Sequence, residues 1–289
     1  MSIVITVYRS RALSLVDWLK VLEACAEKMR EEILNVYQTK EAGREFGVGA
    51  GGDIETEIDL VAERALIETL EEQKASCTLI SEESGTKQVG AEPSKFTLTA
   101  DPLDGTTNAL RGLPFMATSL AVSRKPYLKD VEVALVTDLL HNVTYTAQRG
   151  HGAYKNKKEI KPSRTSSLEE AVIGVDFNTF KAGEIVNQMI KVLEQTKHLR
   201  HFGANALEIC YVADGTTDAF IDLRGKLRVT DMAAAQLILQ EAGGIITTPE
   251  GRDLDAPLNA AQRVSFIAAA NKTIYEKIQK LLGEKDSVC

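Results

Sequence analysis

Asp101-Pro102-Leu103-Asp104-Gly105-Thr106-Thr107-Asn108 follows directly on the apolar, strand-length run 96–100. Carboxylates at the end of a buried strand are costly unless something neutralises them. If Pro102 bends the chain, Asp101 and Asp104 turn towards one centre, and the main-chain carbonyl of Leu103 points the same way. Hard divalent cations take oxygen ligands of this kind. Gly105 lets the backbone approach a ligand closely, and Thr106 supplies a hydroxyl and a cap. A helix starting here aims its free N–H groups at the same point, which suits a phosphate held between amide donors and cations. Read alone, the octet is equally a tight turn, because Asp-Pro and Asp-Gly are common turn formers.

Three further acidic positions tilt the reading towards a site. Ser81-Glu82-Glu83-Ser84-Gly85 follows the apolar run 77–80, Asp231 opens a helix that ends Glu241-Ala242-Gly243-Gly244, and Asp59 lies in the first turn of a helix starting near Thr56. Each has a plain reading by itself: a solvated loop, an acid complementing the helix dipole, a capping box. Glu82 and Asp231 arriving from elsewhere in the chain would complete a two- or three-metal site. Neither Cys nor His is clustered, so the donor chemistry is that of Mg²⁺ or Mn²⁺ and not zinc.

Outward from these motifs, Trp18, Leu22, Cys25, Met29 and Ile33 recur at helical steps, predicting an amphipathic helix to about Tyr37. Runs at 77–80, 96–100, 115–122, 131–136 and 143–147 have strand length. The polar stretch 150–167 divides an N-terminal subdomain, residues 1–150, from a C-terminal one, residues 151–289. In the latter, strand-like and helix-like segments alternate (171–176, 183–194, 205–213, 218–223, 231–242, 265–269, 271–282). Mixed α/β layers follow. The chain has 289 residues, 44% hydrophobic and 26% charged, with net charge −7. That balance argues against nucleic-acid binding. No apolar stretch approaches membrane-span length, and residues 1–7 are short and followed by Arg9 and Arg11, unlike a secretory signal. The scattered Cys25, Cys77, Cys210 and Cys289 suit a reducing cytoplasm.

Thr56-Glu57-Ile58-Asp59, Glu82-Glu83-Ser84, the octet at 101–108, and Asp231 with Glu241-Ala242-Gly243-Gly244 together resemble the inositol monophosphatase family, from about Asp53 to Ala270. The resemblance implies a five-layered αβαβα sandwich and Mg²⁺-dependent, often lithium-sensitive, hydrolysis of a phosphate monoester. Carried over by position, Glu82 would bind a first and a third metal, Asp101 would bridge the first two, and the Leu103 carbonyl would complete the first. Asp104 and Asp231 would hold the second. Gly105 and Thr106 would donate N–H groups to the phosphate, Thr106 hydroxyl bonded to Asp59 would position the attacking water, and Glu83 would support the ligands without binding an ion. No covalent intermediate is needed, because a carboxylate bound to two cations is a poor nucleophile. The chain departs from the family at Thr230, commonly Trp, and Ala235, commonly Gly. Thr230 is a competent N-cap and Ala235 adds one methyl, so metal binding is expected to survive. Homodimers or higher homo-oligomers are usual in the family.

Substrate contacts follow from the same resemblance. Asp222 is placed where an acidic residue meets a sugar or inositol hydroxyl, and Gly203 and Asn205 line the pocket, or else serve as loop hinge and helix cap. Arg224, Lys226 and Arg228 form a cationic wall for a second phosphate, or a solvated basic loop. Asp-Leu-Arg patterns like that at 222–224 point to inositol 1-phosphate and fructose 1,6-bisphosphate. The alternatives are a 3′-nucleotidase acting on 3′-phosphoadenosine 5′-phosphate and a non-catalytic metal-binding scaffold. Gly47-Val48-Gly49-Ala50-Gly51-Gly52 matches the dinucleotide pattern, but no apolar strand precedes it and no helix follows directly. It reads as a loop beside the metal site. His141, His151, His198 and His201 fall in no motif and are expected on surfaces or loops.

Overall fold

In the computed structural model, which describes residues 15–91 and 94–283, two sheets alternate with three pairs of helices. One outer pair is α1 (Leu15–Val36) and α2 (Glu57–Glu72). Trp18, Leu22, Cys25, Met29 and Ile33 are all fully buried, as their helical spacing predicts. They pack on one face of an eight-stranded sheet. Its strands are β3 (Cys77–Ser81), β4 (Gly85–Val89), β5 (Thr97–Asp104), β6 (Ala117–Ser123), β7 (Val131–Asp138), β8 (Val143–Gln148), β9 (Ala153–Lys155) and β10 (Lys158–Glu159), in the order β10-β9-β8-β7-β6-β5-β3-β4. Only the β3–β5 pair in this sheet is parallel.

The sheet's other face and a five-stranded sheet enclose α5 (Asn205–Ala213) and α6 (Val229–Ala242), whose buried residues include Ile209, Val212, Met232 and Ile238. The second sheet holds β11 (Val172–Val175), β12 (His198–Arg200), β13 (Ala219–Arg228), β14 (Ile245–Thr247) and β15 (Arg263–Ala269), ordered β12-β11-β13-β15-β14. Its far face is covered by α4 (Gly183–Gln195) and α7 (Lys272–Gly283), through Met189, Val192, Ile274 and Ile278. The result is the expected αβαβα sandwich. The eight-stranded sheet runs on past residue 150 to Glu159, and residues 160–171 join it to the second sheet. Residues 45–56 form a separate antiparallel hairpin, β1 (Glu45–Val48) and β2 (Ile54–Thr56). Among the described residues no helix is long and apolar enough to cross a membrane.

Two ladder irregularities shape the functional end of the molecule. In β5, Asp101 faces Ser119 while Asp104 faces Ala117, so one extra residue is accommodated at Pro102–Leu103. The first half of the octet, Asp101 to Asp104, is therefore a bulged strand end, and the bulge is where a proline is tolerated inside a sheet. On a regular strand, residues three apart point to opposite faces; the extra residue brings Asp101 and Asp104 to the same cleft. In β13 the register jumps between Asp222 and Leu227, which pushes residues 223–226 out of the ladder.

Candidate active site

A cleft of about 670 Å³ opens where the ends of β3 and β5 meet the start of α5, the start of α6 and the β1–β2 hairpin. It is lined by Glu82, Asp101, Leu103, Asp104, Gly105, Thr106, Gly203, Asn205 and Asp231, together with Asp59 and Glu83. Carboxylate oxygens of Glu82, Asp101 and Asp231 all lie within 4.8 Å of one another. Burial and mutual repulsion push the carboxyls of Glu82 and Asp101 well above the ordinary range. Asp231 is raised by burial, opposed by Arg228 and by the Thr230 hydroxyl, which donates to Asp231 Oδ1 at 2.8 Å. A buried, oxygen-only, mutually repelling donor set fits a hard divalent cation.

Asp104 stands beside this trio and has a second task. Its Oδ1 accepts the Asn205 N–H at 3.1 Å and its Oδ2 the Ala206 N–H at 2.7 Å. A carboxylate from β5 thus satisfies the orphan amides at the start of α5. Asn205, expected as a candidate cap, instead occupies the first helical position, after Ala204. Likewise α6 begins at Val229 with Arg228 as its N-cap, so Thr230 is inside the first turn and braces Asp231 through its hydroxyl.

Gly105 joins β5 to α3 (Thr106–Arg111) at φ 96°, in the left-handed region. A Cβ there would sit 3.1 Å from the Phe115 carbonyl oxygen and 3.3 Å from Ala204 Cβ, so a side chain is disfavoured by both conformation and space. Thr106 Oγ1 donates to Asp59 Oδ1 at 2.8 Å, while Asp59 Oδ2 accepts from the Thr56 N–H at 2.9 Å and the Thr56 hydroxyl at 2.6 Å. Burial raises the Asp59 carboxyl and these hydrogen bonds counter it. Glu83 is pushed up to about 8, by burial first and then by the charge of Asp59.

The other expected substrate contacts lie differently. Arg224 does not line the cleft; its Nη2 sits 2.6 Å from Asp176 and 2.7 Å from Asp222, and its Nε donates to Asp222 Oδ1 at 3.0 Å. Asp222 is fully buried and faces that guanidinium. Lys226 is exposed, and of the three basic residues Arg228 alone lines the cleft. Of the two expectations for these residues, a cationic wall or a solvated basic loop, no joint wall forms at the cleft, because residues 223–226 leave the ladder between β13 and β15. His201 lies on an exposed loop, as expected, and that loop borders the cleft, with Nε2 3.9 Å from Asp176 Oδ1.

The sequence reading passed over Glu63 and Glu208. Glu63 on α2 accepts the Ser81 hydroxyl in a close contact and the Ser84 hydroxyl at 2.5 Å, anchoring both flanks of Glu82-Glu83. Glu208 Oε1 accepts the N–H groups of Phe202 (3.1 Å) and Gly203 (3.0 Å), fixing one wall of the cleft. A D-x-x-x-E spacing from Asp59 to Glu63 was the available signal for the first. Nothing local marks the second.

The glycine-rich stretch 47–52 forms the end of the hairpin, with Ala50 and Gly51 N–H groups donating to the carbonyls of Glu83 (2.8 Å) and Glu82 (2.7 Å). An antiparallel hairpin has no strand–helix phosphate turn, so the dinucleotide reading fails on topology.

The inositol monophosphatase family model matches residues 14–287. The fructose-1,6-bisphosphatase/inositol-1-monophosphatase of Methanothermobacter thermautotrophicus is 36% identical over 273 residues, covering 92% of this chain and 96% of that one. A bifunctional NADP phosphatase/NAD kinase of Methanococcus maripaludis is 31% identical over 93% of this chain, which spans 50% of that longer protein. A crystal structure of an inositol monophosphatase–fructose 1,6-bisphosphatase superposes with a TM-score of 0.80 at 31% identity, covering 91% of this chain and 99% of that one. With the sandwich, the acidic cage and the left-handed Gly105 already in place, these matches establish that the chain belongs to the inositol monophosphatase family, a family of metal-dependent phosphatases, and is a phosphoric monoester hydrolase.

Proposed function

We propose that the enzyme hydrolyses a sugar or inositol phosphate, inositol 1-phosphate and/or fructose 1,6-bisphosphate, with two or three Mg²⁺ ions that Mn²⁺ can replace. The observation that carries this reading is the carboxylate trio of Glu82, Asp101 and Asp231 facing the Asp59–Thr106 hydrogen bond across one cleft. Glu82, Asp101, Asp104, Asp231 and the Leu103 carbonyl would hold the ions. Bound there, divalent cations supply charge neutralisation of the phosphate and a lowered pKa for attacking water.

The protein's own groups do the rest. Thr106 Oγ1 gives its proton to Asp59 Oδ1 as a hydrogen bond, and because Thr106 lines the cleft this would leave an oxygen lone pair for an incoming water. That lone pair accepts a proton of the incoming water, fixes the direction of attack and hands the proton on towards Asp59. Gly105 and Thr106 N–H groups bind the phosphate oxygens, an approach that the missing Cβ at Gly105 permits. Glu83 supports the ligand set from behind. The name of the M. thermautotrophicus relative supports the choice of esters, and a cytoplasmic homo-oligomer goes with it.

A second reading is favoured by one feature. Ile54, Leu110 and Leu113 line the cleft yet are 56%, 40% and 51% exposed, an apolar rim suited to an ester with an aromatic base. The NADP phosphatase relative points the same way, as does the 3′-nucleotidase alternative. Phosphate release from inositol 1-phosphate, fructose 1,6-bisphosphate, NADP and 3′-phosphoadenosine 5′-phosphate, with Mg²⁺ and with an Asp101→Asn control, separates the readings. Turnover of the nucleotides alone would replace the first reading with the second. No release from any of the four esters, with Mg²⁺ varied, would refute both readings of the substrate.

A further inference from the structure

Arg228 caps α6 three residues before Asp231, and its side chain turns into the cleft, 14% exposed. Nη1 lies 2.9 Å from Glu82 Oε1, Nη2 pairs closely with Asp53, and Nε donates to the Gly51 carbonyl at 3.5 Å. Arg263 Nη2 donates to the same carbonyl at 2.5 Å. Gly51 also makes the contact sterically possible. A Cβ there would fall 2.8 Å from both Arg228 Nε and Glu82 Cγ, so a side chain at this position would require one or both of them to shift.

We propose that Arg228 is a tethered cation that takes the place of one divalent ion at Glu82. This rests on the metal reading of the site. A guanidinium is always charged, and its fork of donors matches a carboxylate. With one oxygen of Glu82 held at 2.9 Å, that residue has its second oxygen left for the ion shared with Asp101 and Asp231. A further divalent ion on the same carboxylate would meet a positive charge a few ångströms away, in a partly buried setting where screening is weak. Arg228 has no acceptor and no exchangeable water. It neutralises and orients, and cannot supply the chemistry of the ion it displaces. The chain therefore holds one fewer ion than its carboxylates would otherwise accommodate.

The test is Mn²⁺ titration of metal-free protein, with free Mn²⁺ read by its electron paramagnetic resonance signal. The proteins compared are wild type, Arg228→Met, Arg228→Gln and Arg263→Gln. Both Arg228 variants are expected to bind one more Mn²⁺ per chain than wild type. Arg263→Gln loosens Gly51 without touching Glu82 and is expected to keep the wild-type number. Arg228→Gln keeps a donor for Gly51 and serves where Arg228→Met fails to fold. Equal stoichiometry in wild type and the folded Arg228 variants overturns this inference alone, as does a matching gain in Arg263→Gln. Absence of Mn²⁺ binding in all four overturns the metal reading and this inference with it.

Discussion

Replacing Glu208 by Gln should remove a specific pH dependence of folding. Glu208 is buried on α5, and burial lifts its carboxyl from the ordinary 4.5 to about 7, the N–H groups of Gly203 and Phe202 opposing the rise. For an acid raised on folding, both states are protonated below 4.5 and the native state carries no penalty. Between 4.5 and 7 the unfolded chain has released its proton and the native one has not, so stability falls as pH rises. Above about 7 both states are ionised and the loss is complete. The loss amounts to about 3 kcal/mol. Both amide bonds go to Oε1, and a Gln carbonyl oxygen can accept them in the same geometry. Glu208→Gln therefore keeps the cleft wall and deletes the titration. Urea unfolding of metal-free protein at pH 4 and pH 8 should show wild type losing about 3 kcal/mol more than the variant over that interval. Other carboxyls titrate in both proteins and cancel in the comparison. Parallel pH profiles would show that Glu208 is ionised in the native state at neutral pH, and the reasoning from burial would be refuted.

Thr106→Val should lower kcat by about 10²- to 10⁴-fold, and Thr106→Ser should restore most of it, because Asp59 needs only a hydroxyl donor at 2.8 Å; equal loss in both variants would count against the proton path. Gly105→Ala should destabilise the protein by about 1–3 kcal/mol from φ 96° and the crowding by the Phe115 carbonyl, measured by urea unfolding; an unchanged midpoint would refute it. Glu63→Ala leaves the hydroxyls of Ser81 and Ser84 without their acceptor and should cost about 1–3 kcal/mol with weaker Mg²⁺ binding, read by calorimetry; unaltered ion affinity would show that Glu63 does not position Glu82.

The parts legible in the sequence are those whose physics is local. The burial stripe of α1 follows from its own spacing, and Asn205–Ala213 is the helix α5 that its apolar residues predict. That Asp101, Asp104 and Gly105 face one cleft could be expected because the strand end and the helix start are contiguous in sequence. What stayed hidden is long-range. Asp104 caps a helix 101 residues away, and Arg224 turns from solvent towards Asp176 because β11 and β13 are neighbours. Short strands such as β1, β9, β10 and β12 carry weak local preference; their partners create them. The bend supposed at Pro102 comes from pairing with β6, which takes up one extra residue between Asp101 and Asp104 as a bulge.

The same burial that builds the cage makes the metal-free enzyme unfavourable, and this gives a further prediction. Glu82, Asp101 and Asp104 are all held well above the ordinary carboxylate range by burial and by one another's charge or that of Asp231, and Asp231 is raised as well. Raised in this way, such groups hold their protons to higher pH than free carboxyls do, and an incoming cation must displace any proton still held, because it binds the ionised form. Mg²⁺ binding should therefore release protons. Calorimetric titrations in two buffers of different ionisation enthalpy should give different apparent heats. Raising the pH deprotonates the unfolded chain first, so the metal-free protein should lose stability while the ion-bound one does not. The rise in Tm on adding Mg²⁺ should then be larger at pH 8 than at pH 5. At an ion concentration about 100 times Kd the stabilisation at one site is about 2.7 kcal/mol, and Asp101→Asn should remove most of it. Identical heats in the two buffers, with a Tm rise independent of pH, would mean that the carboxyls are already ionised before the cation arrives. Something other than Mg²⁺ would then have to balance their charge, and Arg228 is the group best placed to do so.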